Sequence, residues 1–211
     1  MFHGGHAATL RSMKAPRRAD VESSRSTILE SAERLFLERG YAGTSMSEIA
    51  KASGVTKSLI HHHFGTKEAL WTAVKRTCFE AYHAKQKELL AVDSLTPETA
   101  KASMRIYFEF LAEKPQVLRL MWWMLLDGDD DRSNELVAEL GDLGVAQIRH
   151  MQDHGMVRRD LRPESVLASF LGLIHAAFTE GWLLTDRGVG LDAYIEDAWE
   201  MFAHGVMAQP Q

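Results

Sequence analysis

Residues 54–66 read GVTKSLIHHHFGT, with His61, His62 and His63 in a row. Imidazoles in a cluster can bind a metal, move protons or meet an anionic partner. Helical metal sites favour i, i+4 pairs, which bring two ligands to one face. Adjacent helical residues are turned by about 100°, so three consecutive rings diverge. No Cys, Asp or Glu stands one turn away to complete a ligand set, nor to build a nucleophile–base pair with these rings. His3 and His6 lie far upstream and suit only adventitious metal. The expectation is therefore no metal, no cofactor and no catalysis at this cluster. Two readings remain: a solvated helix face with one histidine partly packed, or contact with a partner.

The elements around the histidines give them a place. Ile28, Ala32, Leu35 and Phe36 form one apolar stripe, which predicts a helix from Ser24 to Arg39, ended by Gly40. Ser45 and Glu48 have capping-box spacing and open a short helix whose inward face is Met46, Ile49 and Ala50. Gly54 closes that helix, and Thr56 caps the next, Lys57 to about Phe64. Gly65 ends this one, and Thr66 caps a long helix beginning KEALW. Two short helices joined by the tight turn Gly54-Val55 have the spacing of a helix-turn-helix.

The rest of the 211-residue chain also reads as helix. Segments are expected at 97–113, from Pro115 through VLRLMWWMLL, at 133–153, at 163–184 and at 191–206, with no convincing strand. The fold class is thus all-α. Residues 1–22 read as a disordered basic arm, 23–70 as the helix-turn-helix domain and 71–211 as a helical effector and dimerisation domain. Residues 1–85 carry 13 Lys+Arg against 8 Asp+Glu, and residues 86–211 carry 11 against 21. A basic first part suggests an anionic partner. The single cysteine, Cys78, excludes an intramolecular disulfide and reads as a core residue. No stretch is apolar enough to span a membrane, and the N-terminal residues lack a secretory apolar region, so a cytoplasmic location is expected.

The segment TSMSEIAKASGVTKSLIHHHFGTKEALW, with ILESAERLFLERGYAGTS before it, resembles the TetR family of transcriptional regulators. The likeness is specific over about residues 25–75; beyond residue 80 only helical length and layout agree. It implies a three-helix DNA-binding domain leading through a fourth helix into an all-helical ligand and dimerisation domain. It also implies a homodimeric repressor on a palindromic operator, released by a small molecule. His61 stands where the family commonly has tyrosine, and Leu59 where a small polar residue is common.

Ile60 and Phe64 should anchor the recognition helix, leaving Lys57, Ser58, His61 and His62 outward. Lys57, Ser58 and His61 are the candidate base readers. Ser45, Ser47, Thr56 and Thr66-Lys67 lie at helix N-termini suited to phosphate oxygens. The resemblance adds His63 and Lys67 as phosphate contacts. Arg17 and Arg18 could extend the arm into a minor groove.

In the second domain, LMWWMLL at 120–126 suggests either ordinary core or a pliable pocket wall. Leu118, Trp122 and Leu125 share one predicted side, with Met121 and Met124 beside it and Trp123 elsewhere. Candidate ligand residues are Met104, Tyr107, Phe108, Met121, Trp122, Gln147, His150 and His175. Segment 163–184 is apolar nearly all round, which suggests burial on two sides. Phe170, Ile174, Phe178, Tyr194, Trp199 and Phe202 are the candidate dimer contacts, beside a small-residue strip at Ala168, Gly172 and Ala176. Two alternatives stay open. One is a helical enzyme or binding protein with a degenerate DNA-binding motif. The other is a regulator controlled by a protein partner.

Overall fold

The computed structural model describes residues 18–90, 96–128 and 135–208, and side chains from residue 22 onward. The described residues form ten helices: α1 (Arg18–Arg39), α2 (Met46–Ser53), α3 (Lys57–Phe64), α4 (Lys67–Leu90), α5 (Pro97–Glu113), α6 (Gln116–Leu126), α7 (Glu135–Asp153), α8 (Pro163–Thr179), α9 (Gly181–Thr185) and α10 (Leu191–Val206). The all-α class expected from periodicity is what the chain adopts. One isolated bridge, Val157 to Met207, is the only extended pairing among the described residues.

Short helices need help, since isolated ones below ~12 residues are marginal in water. α2 gets it from its capping box: Ser45 Oγ accepts from Glu48 N at 3.2 Å, and Ser45 N donates to Glu48 at 2.9 Å. α3 starts on Thr56, whose hydroxyl accepts from Leu59 N at 3.2 Å. Ile28, Ala32, Phe36, Ile49 and Ile60 are wholly buried and weld α1, α2 and α3 into one core. Burial of Ile60 alone is worth about 1.5–3 kcal/mol, comparable to everything local that favours so short a helix.

α4 has 24 residues and so spans ~36 Å. Its first half packs on α1 and α3, and its length runs along α5 and α7. Leu70, Trp71 and Val74 serve the first core; Phe79, Tyr82 and Gln86 face the second. Cys78 is buried on α4, where burial, more than the nearby Glu33, pushes its thiol up to about 12. It stays protonated and unreactive, in line with a core role.

Three features differ from the sequence reading. α1 opens at Arg18, so residues 18–22, expected as arm, are helical; the rest of that arm, with Arg17, lies outside the described residues. The segment 163–184 is not one helix. Glu180, at φ −106° and ψ 18°, leaves the helical region, and Gly181 restarts as the short α9. Glycine loses more backbone freedom in a helix than any other residue, which makes this the weak point of the run. α6 is rotated relative to expectation. Val117, Leu120 and Met124 are buried, whereas Trp122 is 51% exposed and Leu125 69%.

The rotation of α6 has a cause in Trp123. Its indole N–H donates to Leu37 O on α1 at 3.1 Å, and Asp127 accepts from Tyr41 N at 3.2 Å. A Cβ on Gly40 would sit 2.7 Å from the Trp123 ring, and Gly40 has φ +72°. Only glycine lets the indole approach and the chain turn at once. Gly40→Ala is expected to destabilise the fold by roughly 2–4 kcal/mol in urea unfolding. Gly141→Ala, where the added Cβ meets nothing within 4 Å in mid-helix, is expected to stabilise it by about 0.5–1 kcal/mol.

Candidate functional site

α3 presents a short polar face. Ile60 is buried, and Phe64 is partly buried beneath the Arg25 guanidinium, 5.3 Å from its ring centre. This leaves Lys57, Ser58, His61 and His62 exposed together, as the spacing predicts. His61 is constrained further. Its Nδ1 lies 2.6 Å from Gly65 O, and a carbonyl can only accept, so Nδ1 carries the proton. In the tautomer that this bond selects, the ring nitrogen left as acceptor is Nε2. An acceptor there suits adenine N6–H or cytosine N4–H, where a tyrosine hydroxyl could serve as donor or acceptor.

The three histidines do diverge. His63 is half-buried, with Nε2 enclosed and without a hydrogen-bond partner, and it lies edge-on to His62 at 5.6 Å. Its Nε2 is turned inward, away from any phosphate, so only the other ring nitrogen could serve the contact that the resemblance implies. Among the described residues no three His, Cys, Asp or Glu side chains are grouped to hold a metal.

The rim is a set of helix N-termini. At α2, Ser45 is already occupied: its amide and hydroxyl both donate to Glu48, which Arg39 also contacts at 2.7 Å. The Ser45 hydrogen bonds, more than Arg39, hold the Glu48 carboxyl below its usual range. A depressed carboxyl contributes stability above its unfolded value and loses it as pH falls, so this cap weakens only in acid. Ser45 thus works chiefly as a cap, and exposed Ser47 is the better phosphate donor of the pair. Thr56 likewise spends its hydroxyl oxygen on the α3 cap but remains exposed. At α4, Lys67 sets its ammonium 4.1 Å from the Tyr41 ring centre, and the Tyr41 hydroxyl donates to Glu68 at 2.6 Å. Tyr41, which the sequence reading did not single out, is the residue that holds Lys67 in place. Its position directly after the helix-ending glycine was the available signal.

The second feature is a cavity of about 270 Å³, partly open to solvent, lined by α4, α5, α6, α7, α8 and α10. Four of the eight sequence candidates line it: Tyr107, Met121, Gln147 and His175. The other four do not. Met104 and Phe108 are buried in the core, the latter 5.2 Å from Phe178; Trp122 faces outward; and His150 stacks on His154 at 4.2 Å. Tyr82, Gln86 and Ser103 line the cavity and escaped the sequence reading, although Phe79, Tyr82, Gln86 and Leu90 recur along one face of α4.

The predicted dimer residues are also placed differently. Phe170 and Phe202 line the cavity, Ile174 and Trp199 are buried, Phe178 packs on Phe108, and the Tyr194 hydroxyl donates to Leu173 O at 2.6 Å. Ile174, Trp199 and Phe202 are buried in this chain's own core, while Phe170, Phe178 and Tyr194 keep part of their surface exposed. The outward residues of α8 are instead Ser165, Ala168, Ser169 and Gly172, with Met201 outward on α10 and Trp182 and Leu183 on α9. An all-round apolar helix has no polar stripe to reveal its phase, so sequence pattern alone does not separate its inward side from its outward side.

Comparison with known proteins agrees with this two-part layout. Residues 28–74 match the model of bacterial regulatory proteins of the tetR family, and residues 103–187 match the tetracyclin repressor-like C-terminal domain. The transcriptional activator FasR of Mycolicibacterium smegmatis is 24% identical over 191 residues, covering 87% of this chain and 84% of FasR. A TetR family transcription regulator from Marinobacter aquaeolei VT8 superposes with TM-score 0.71 at 18% identity, covering 92% of this chain and 100% of that one. The triclosan complex of SmeT, a repressor of a Stenotrophomonas maltophilia efflux pump, gives TM-score 0.64 at 21% identity, covering 89% and 93%. These relatives are named as regulators of transcription, not as enzymes. With its helix-turn-helix and its cavity-bearing helical domain each matched to the corresponding half of one family, the chain belongs to the TetR family of DNA-binding transcriptional regulators.

Proposed function

We propose that two copies of this chain repress transcription from a palindromic operator and leave it when a small molecule fills the cavity. The observation that carries this reading is the bond between Trp123 and Leu37. It ties α6, whose Met121 lines the cavity, to α1 of the DNA-binding part. Tyr107 continues the same line, its hydroxyl lying 3.9 Å from Met121 Sδ and 2.7 Å from His175 Nε2. A ligand that favours another setting of α6 then shifts the position of α3. Triclosan in SmeT supports a small-molecule occupant for a fold of this kind.

On DNA, Lys57, Ser58 and His61 read base edges while Ser47, Thr56 and Lys67 hold phosphates. Ser45 caps, and His62 lies on the same exposed face of α3. For the dimer, the outward strips of α8 and α10 act beside the exposed parts of Phe170, Phe178 and Tyr194. Small residues at Ala168 and Gly172 allow close helix approach, and Met201 adds apolar area. A two-fold pair of recognition helices about 34 Å apart requires half-sites one helical turn apart. FasR is named an activator, so a promoter-reporter assay is the readout of sign; repression is expected here.

The decisive experiment is selection of duplexes from a random pool at near-physiological salt, and an enriched palindrome is expected. Binding without sequence preference that vanishes as salt rises would sink the reading. Lys67→Ala should weaken all duplexes alike and make the log–log salt slope shallower by about 0.9. Lys57→Ala should instead relax preference at one operator position by roughly 1–3 kcal/mol. Trp123→Phe removes the indole N–H. It should leave operator and ligand affinities each within severalfold but reduce the factor by which one weakens the other. By linkage that factor is the same in both directions, which titrations of ligand with and without operator will check.

A further inference from the structure

The wall of the cavity narrows what can fill it. Not one lining side chain is an Asp, Glu, Lys or Arg. An ion placed inside would leave water and find no permanent countercharge, since the one titratable base on the wall, His175, already meets the Tyr107 hydroxyl; such burial is heavily penalised. Most of the wall is aliphatic or aromatic: Phe79, Leu140, Met151, Val166, Leu171 and Phe202 among others.

The polar groups on the wall are few, and some are spent on each other. Ser103 Oγ donates to Gln86 Oε1 at 2.9 Å, and Gln86 Nε2 donates back to Ser103 O at 2.9 Å. Gln147 gives an amide hydrogen to Leu90 O at 2.8 Å. The Tyr82 hydroxyl bonds to the Gln86 side chain, and the remaining polar pair is Tyr107 with His175, where α5 and α8 meet beside Met121. The Tyr107 hydroxyl also meets Met121 Sδ at 3.9 Å, a weak acceptor that a ligand oxygen can displace.

Shape follows from the helix that floors the cavity. Lining residues run along α4 from Phe79 to Leu90, ~16 Å at 1.5 Å per residue, whereas a globe of 270 Å³ would be about 8 Å across. The space is therefore a tube. An apolar cavity of about 150 Å³ accepts a benzene ring, so this one takes roughly ten to twelve non-hydrogen atoms.

We infer that the effector is an uncharged, elongated lipophile with a single hydroxyl or carbonyl end, lying along α4 with that end at Tyr107 and His175. The inference rests on the proposed role of the cavity as effector site, so binding and operator release are measured separately.

The test is calorimetric titration of the full chain, without DNA, by decan-1-ol, decanoate and decylammonium at neutral pH. Decan-1-ol is expected to bind at least tenfold tighter than either ion. Tyr107→Phe should weaken decan-1-ol three- to tenfold. Gly141→Leu, which adds a side chain to the cavity wall where a Cβ meets nothing within 4 Å, should weaken it at least tenfold without lowering the melting temperature. An ion that binds as well as the alcohol overturns the inference. So does absence of saturable decan-1-ol binding, or binding that survives Gly141→Leu. An unchanged Tyr107→Phe overturns the placement of the polar end. Tight decan-1-ol binding that never releases a selected operator leaves this inference standing and removes the effector-release reading instead.

Discussion

A recognition helix of eight residues cannot hold its own shape in water, and much of this molecule exists to hold it. Ile60 is the peg, with Phe36 and Ile49 as its socket. The Thr56 cap and the Gly65 end fix the helix at its two termini, so that its polar half is delivered as a rigid face. The remaining choices of the first domain follow. α1 must be long enough to floor the socket, α2 must be capped because it too is short, and α4 must begin where α3 ends. What looks like a histidine cluster is the outer surface of this mount.

The same constraint links the two domains. α4 belongs to both cores, and α6 returns from the second core to touch the first. The polar part of the contact is one indole N–H and one aspartate, with Gly40 leaving room for the ring, beside a buried core that runs through both halves. Polar contacts this few suit a two-position joint, because few groups need to be re-satisfied when it moves. The net worth of one such hydrogen bond is about 1 kcal/mol. That is the scale of a typical coupling between sites, about 1–3 kcal/mol.

The sequence made the first domain legible because its signals are local. Ser45 with Glu48, Thr56, Gly54 and Gly65 each act within a few residues, and their spacing alone locates α2 and α3. The recognition face was readable for the same reason: Ile60 and Phe64 share a stripe, and what is left faces outward. The second domain was legible only as a list of helices. The phase of α6 depends on Trp123 reaching Leu37, 86 residues away, which no local pattern encodes. α8 is apolar on most sides, so its cavity-facing and outward sides look alike. Tyr107 and His175 were candidates for the ligand site separately; the structure pairs each with the other. His150 drew the same suspicion and stacks on His154 instead, one turn along its own helix.

The closeness of Trp123 to Gly40 also bears on how such a protein can diverge. Residue 40 has no room for a Cβ while an indole stands at 123, and the backbone there is left-handed. The two positions are therefore not free to change one at a time. A descendant that gains a side chain at 40 must first lose the ring at 123, and with it the anchor on Leu37. A descendant that loses the ring first keeps its fold but slackens the joint between its halves. Sequence drift across this pair thus passes through forms whose two domains respond to one another less, and the order of the two changes is set by steric exclusion.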